Sequence, residues 1–84
     1  MIAAHNYIID MDHGIARGEL ICKQSNSVCP VVIGNDVWLG ACATILKGSK
    51  IGNGAVIGAK ALVKGEIPEN AIAVGIPAKV LRYR

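Results

Sequence analysis

The sequence predicts an all-β solenoid: a parallel β-helix of triangular section, with a loop protruding near residues 14–31. Three observations carry this. From Ile33 to Val63 an aliphatic residue returns every six positions, at Ile33, Leu39, Ile45, Ile51, Ile57 and Val63. The residue after it is usually glycine (Gly34, Gly40, Gly52, Gly58), and the fifth of each block is small or β-branched (Val37, Ala43, Ser49, Ala55, Ala61). The composition is 52% hydrophobic but only 4% aromatic, with no Phe. That suits a narrow core of Ile, Val, Leu and Ala better than a conventional globular one.

A period of six excludes a helix. Six residues turn an α-helix by about 600°, so the aliphatic positions would scatter around it instead of forming one stripe. A single strand of this length would be unusual, and its regular glycines would weaken it. Short strands that turn a corner every six residues fit, with three strands to a coil. The opening aliphatic and the small fifth residue then both point inward. The glycines are expected at the corners, where a positive φ is accessible to them. Trp38, sixth in its block, is expected at a corner too, outside the core.

Taken in order, Ile2 and Ile8 stand six apart and read as a coil already under way. Residues 14–31 break the period. Gly14, Gly18, Ser25, Asn26, Ser27 and Pro30 are turn formers, and a loop of this length is commonly either functional or disordered. Residues 33–62 are the regular coils. Lys64–Asn70 is a second interruption, with Pro68 ending a strand segment. AIAVGIP resumes as an extended rung that Pro77 stops. The tail AKVLRYR suits either a helical turn or an edge strand. At 84 residues this is one domain. A short solenoid has open ends, so self-association is expected.

The net charge is +3, with Lys79, Arg82 and Arg84 near the end of the chain. A nucleic-acid surface would need a denser basic run with stacking aromatics. A small phosphate-bearing ligand suits these charges better, the plain alternative being a solvated tail. Cys22, Cys29 and Cys42 form neither a disulfide framework nor a zinc spacing. The opening residues do not resemble a signal peptide, and the default location is cytoplasmic.

Chemistry near neutral pH most often uses histidine as general base. His13 lies in DMDHG at the mouth of the long loop, and His5 in AHNY. Asp12, Asp10 or a backbone carbonyl are the possible partners that would orient His13. On an extended strand Asp12 points to the opposite face. The plain alternative for either histidine is a surface residue without a role. Leu39-Gly40-Ala41 lacks bulk and would let a ligand approach the backbone, and Trp38 beside it offers a flat contact surface.

The stretch VVIGNDVWLGACATILKGSKIGNGAVIGAKALVKGEIPENAIAVGIPAKVLR resembles the carboxy-terminal half of the hexapeptide-repeat O-acetyltransferases, the left-handed β-helix acyltransferases. Within them it is most like the sugar O-acetyltransferases, which include the maltose and galactoside enzymes. Residues 31–82 carry the likeness densely and residues 2–13 more loosely. The resemblance implies a left-handed coil, a single domain over residues 1–84 that lacks the amino-terminal coils of full-length members, and a homotrimer with active sites between neighbouring subunits. It implies acetyl-CoA as co-substrate, no metal, and a hydroxyl acceptor on a sugar or similar molecule. His13, placed ahead of Pro30 as in the sugar enzymes, would be the general base. Trp38 and Ala41 would flank the thioester and pantetheine arm, with the Ala41 N–H as oxyanion donor. Ala59 would contact the pantetheine through its backbone, and Lys79 and Arg82 would meet the phosphates. The family often has Thr-Lys where this chain has Lys64-Gly65, so Lys64 would be a phosphate ligand standing one position early, a departure from the family pattern. His5 has no assigned role beyond a place lining the acceptor pocket. The rival readings are a β-helix zinc anhydrase, for which two histidines are too few, an inert β-helix module, and an antibiotic-modifying acetyltransferase with the same coil.

Overall fold

The computed structural model describes residues 1–84. Twelve short strands are present: β1 Tyr7–Ile8, β2 Met11–His13, β3 Asn26–Val28, β4 Val32–Ile33, β5 Trp38–Leu39, β6 Thr44–Ile45, β7 Lys50–Ile51, β8 Val56–Ile57, β9 Leu62–Val63, β10 Glu66–Ile67, β11 Ala71–Val74 and β12 Lys79–Tyr83. One 3₁₀ turn, Ile21–Lys23, is the only helical piece. No helix is long and apolar enough to cross a membrane.

The six-residue period builds three parallel sheets around one core. Each strand of the regular coils pairs in parallel with the strand eighteen residues on: Val32 with Lys50, Trp38 with Val56, Thr44 with Leu62. The first face orders β5-β8-β11-β12, the second β1-β6-β9 and the third β4-β7-β10. The opening residues fill the interior as expected, with Leu39, Ile45, Ile57 and Val63 all 0% exposed. The fifth residues Val37, Ala43, Ser49, Ala55 and Ala61 are buried beside them. Ser49, the polar member, donates its hydroxyl to the Val63 carbonyl at 3.2 Å, so its burial leaves no unpaired group.

Each strand consists of the sixth residue of one block and the first of the next, and the four residues between make the corner. This corrects the placement of Trp38. It stands on β5, on the outer side of the first face, with Leu39 inward, and not at a corner. The role of the second-position glycines is also corrected. Gly34, Gly40, Gly52 and Gly58 do not have positive φ. They are small because the next coil passes against them. A Cβ on Gly40 would lie 2.7 Å from the Ala59 nitrogen, and one on Gly52 2.6 Å from the Glu69 nitrogen. Positive φ belongs to the fourth residue instead: Asp36 (54°), Cys42 (60°), Gly48 (74°), Gly54 (73°) and Lys60 (62°). His5 and Asn70 repeat it at 61° and 58°.

The first coil, Ile2 to Ile8, stacks on the regular ones through Ile2 against Leu39 and β1 against β6. The loop leaves from the corner between the second and third faces. Its excursion starts earlier than residue 14, because β2 and β3 form an antiparallel hairpin that includes His13. The interruption at Lys64–Asn70 is a shortened corner. Gly65, at φ 105°, lets β10 begin two residues early, so Glu66 pairs with Lys50 and the coil closes. The tail is an edge strand: β12 folds back antiparallel on β11. That covers one open sheet edge at this end of the solenoid.

Candidate functional site

The outer side of the first face carries three of the expected residues, Trp38, Lys79 and Arg82. Trp38 is opposite Val56, Val56 opposite Ile72, and Ile72 opposite Arg82. Paired residues share a face of the sheet, so these four form one lane. Three strand spacings make it about 14 Å long. Trp38 is 52% exposed at one end. Lys79 and Arg82, both exposed on β12, stand at the other. Neither makes an ion pair, since the ion pairs present are Lys47–Asp12 and Arg84–Asp36. Arg84, the third cation of the tail, donates to the Gly54 carbonyl at 3.0 Å and so ties the end of the chain to a corner. A recess of about 350 Å³ opens beside Trp38, lined by Met1, Asp36, Val37, Val56 and Arg84.

Ala41 and Ala59 stack one above the other on the corner that joins the first and second faces, where the Lys60 N–H donates to the Ala41 carbonyl at 2.9 Å. Gly40 makes this corner tight, and both alanines are exposed. Neither alanine amide donates a hydrogen bond within the protein. An unpaired N–H beside an apolar lane is a ready donor to a carbonyl or oxyanion.

His13 lies elsewhere. It is exposed on β2, paired with Asn26 of β3, and its ring makes no hydrogen bond to any protein group. None of the three candidate orienting partners is bonded to it. The Asp12 carboxylate instead accepts from the Lys47 ammonium at 2.8 Å. His5 is exposed on the same corner as Ala41 and Ala59. Lys64 is exposed at the start of the corner between the second and third faces, two residues past Leu62, whose carbonyl accepts from the Ala78 N–H next to Lys79 at 2.7 Å. Within one chain, then, Trp38, Ala41, Ala59, Lys79 and Arg82 lie along one side of the solenoid, with Lys64 just past the strand that Ala78 caps, while His13 stands apart on the hairpin. The surface hollows, of about 400, 350 and 410 Å³, include none shared by His13 and Trp38. No group of three or more His, Cys, Asp or Glu side chains converges as a metal site would require.

Sequence reasoning missed Lys47. Its ammonium also donates to the Ser27 hydroxyl at 2.8 Å, which joins a corner of the solenoid to both strands of the hairpin. The signal available was a cation on the corner where the loop leaves, with no way to read a partner 20 or 35 residues away. Asn6 was also missed. Its side chain accepts from the Ala43 N–H at 2.9 Å and donates to the Ala3 carbonyl at 2.7 Å, closing the first coil onto the second.

Residues 30–65 match the family of bacterial transferase hexapeptide repeats (six repeats). A probable acetyltransferase of Mycobacterium tuberculosis is 44% identical over 79 residues, which is 93% of this chain and 26% of that protein. The crystal structure of a maltose O-acetyltransferase from Clostridium difficile superposes with a TM-score of 0.90 at 36% identity, over 99% of this chain and 44% of that one. A galactoside acetyltransferase in complex with coenzyme A superposes with a TM-score of 0.83 at 32% identity, over 98% and 44%. The chain thus spans less than half the length of each of these proteins. With the six-residue core, the stacked corners and the hairpin in place, the chain belongs to the hexapeptide-repeat acyltransferase family and carries its left-handed parallel β-helix.

Proposed function

We propose that this chain forms the coenzyme-facing coils of an acetyl-CoA-dependent O-acetyltransferase, which moves acetyl to a hydroxyl of a sugar or saccharide-like acceptor. The observation that carries the reading is the lane from Trp38 to Arg82, with the unpaired Ala41 and Ala59 amides beside it. The lane is comparable in length with an extended pantetheine arm. It is apolar in the middle, cationic at one end and lined with free N–H donors. A thioester joined to a phosphorylated nucleotide needs that sequence of environments. The coenzyme A complex of the galactoside acetyltransferase supports the same reading.

Within it, His13 takes the proton of the acceptor hydroxyl as that oxygen attacks the acetyl carbonyl carbon. The tetrahedral oxyanion accepts a hydrogen bond from the Ala41 amide. Collapse breaks the carbon–sulfur bond, and the proton held by His13 passes to the departing coenzyme thiolate. A thioester is already activated, so holding two substrates together supplies much of the rest of the acceleration. Because His13 and the lane lie on different parts of one chain, the active site is formed between two copies, in a homotrimer. Lys64, two residues past Leu62, adds a further cation for the coenzyme phosphates. Acetyl-CoA is made inside the cell, so the enzyme works in the cytoplasm.

Calorimetry with acetyl-CoA, combined with sedimentation, tests this reading. A trimer that binds acetyl-CoA supports it, whereas a monomer that gives no binding heat makes the chain an inert β-helix module. His13→Ala is expected to abolish acetyl transfer to a sugar such as maltose and leave acetyl-CoA affinity within about twofold. Unchanged turnover in that variant removes His13 from the mechanism.

A further inference from the structure

The hairpin that carries His13 is held to the solenoid at few points. At its root, the Cys29 N–H donates to the Asp10 carbonyl at 2.8 Å and the Gly48 N–H to the Cys29 carbonyl at 3.0 Å. Beyond the root, every hydrogen bond from residues 11–28 to the rest of the chain goes to one atom, Lys47 Nζ. It donates to Asp12 Oδ1 and Ser27 Oγ, both at 2.8 Å, and these two residues face each other across β2 and β3. The tether falls one residue before His13. A two-stranded hairpin is at best marginally stable by itself, and a base some three residues out from its root, roughly 10 Å away, swings widely for a small change of angle at that root.

The far side of His13 is also fixed, though only within the hairpin. Gln24 accepts from the Ala16 N–H at 2.9 Å and donates to the Ala16 and Glu19 carbonyls at 3.1 and 3.2 Å. It lies flat against Gly14, where a Cβ would come within 2.6 Å of Gln24 Oε1. Gln24 therefore sets the shape of the hairpin end, and Lys47 sets where the hairpin stands on the solenoid.

We propose that Lys47 is a positioning residue for the general base: it sets the angle of the hairpin and, through Asp12 and Ser27, the place of the His13 imidazole. This rests on the reading of His13 as base. Lys47 itself touches neither substrate, and its side chain is 30% exposed against 57% for Asp12. An ion pair so exposed adds little to global stability. Its effect falls instead on geometry, to which catalysis is far more sensitive, since a displacement of about 1 Å can lower a rate about a hundredfold.

The test compares the unaltered chain with Lys47→Met, Lys47→Arg and the charge swap Lys47→Asp with Asp12→Lys, using acetyl-CoA and maltose as probe substrates. Lys47→Met is expected to lower kcat about ten- to a hundredfold and leave KM for acetyl-CoA within about twofold. Hydrogen exchange at residues 11–13 and 26–28 is expected to speed up in this variant, with the coil amides of residues 37–63 unchanged. Lys47→Arg and the charge swap are expected to recover most of the rate. If His13→Ala abolishes turnover but Lys47→Met keeps wild-type kcat, the positioning role is wrong and the base stands. If His13→Ala keeps turnover, the base is wrong, and faster exchange confined to the hairpin of Lys47→Met still supports the tether. Faster exchange throughout the coils would make Lys47 an ordinary stabilising residue and overturn the proposal.

Discussion

Replacing Gly40 by alanine probes the corner on which both the fold and the proposed site depend. Gly40 has no positive φ, so alanine suits its backbone conformation. The obstacle is space. The added Cβ would stand 2.7 Å from the Ala59 nitrogen and 3.0 Å from Ala59 Cα and the Gly58 carbonyl carbon. Favourable contacts begin near 3.5 Å, so the two coils must part by roughly 0.5–1 Å. All three atoms are backbone and cannot turn aside. The coils are also pinned here, by the Gly40 N–H to the Ile57 carbonyl at 2.8 Å and the Lys60 N–H to the Ala41 carbonyl at 2.9 Å. Overpacking of this kind costs about 1–3 kcal/mol. Restricting the unfolded chain returns about 0.4–1 kcal/mol. The net loss is about 1–2 kcal/mol, which in a domain of this size lowers Tm by roughly 5–15 °C. Thermal melting followed by circular dichroism reads the loss. Acetyl-CoA affinity is expected to fall as well, because the shift moves the Ala41 and Ala59 amides apart. A Gly40→Ala protein that melts at or above the wild-type temperature would refute the view that this glycine exists to admit the next coil.

Three further outcomes follow from the same geometry. Leu39→Ala empties a site with 0% exposure in a one-residue-deep core and should cost about 2–5 kcal/mol, seen as a lower urea midpoint. Lys60→Val should be less stable than Lys60→Gly by about 1–2 kcal/mol, because a β-branched residue is an outlier at the φ of 62° found there; equal midpoints would argue against the strained corner. Arg82→Ala should weaken acetyl-CoA binding roughly tenfold and flatten its dependence on salt, as expected when an unpaired surface cation meets a phosphate; titration at two ionic strengths distinguishes this from a loss of fold.

The coil was legible in the sequence because its core imposes two demands on every block: an aliphatic at the first position and something small at the fifth. Nothing else satisfies both through Leu39/Ala43, Ile45/Ser49 and Ile57/Ala61. Which neighbour of the aliphatic shares its strand was not legible, since either choice has the same period. Trp38 was therefore assigned to a corner, although it stands on β5. The glycines misled for a related reason. Glycine serves both close approach and positive φ, and here the second-position glycines serve the former. Cys42 and Lys60 occupy left-handed corners that no propensity would assign them. The hairpin was hidden because MDH and NSV lack a tight-turn signal between them, and twelve residues separate the paired strands. The two ends of the lane, Trp38 and Arg82, were singled out through the family likeness, but the strand pairing through Val56 and Ile72 that joins them was not legible. The Lys47 tether was not, because it depends on contacts between residues far apart in the chain.

The central claim is that the first face of the solenoid holds the coenzyme. Trp38 is the one tryptophan and stands at the end of the lane. Its fluorescence during titration with acetyl-CoA is therefore the most direct measurement. The account predicts a saturating change in Trp38 emission at one acetyl-CoA per chain, shifted to higher concentration in Arg82→Ala. Emission that stays constant while calorimetry shows acetyl-CoA bound would place the coenzyme on another face and contradict the account.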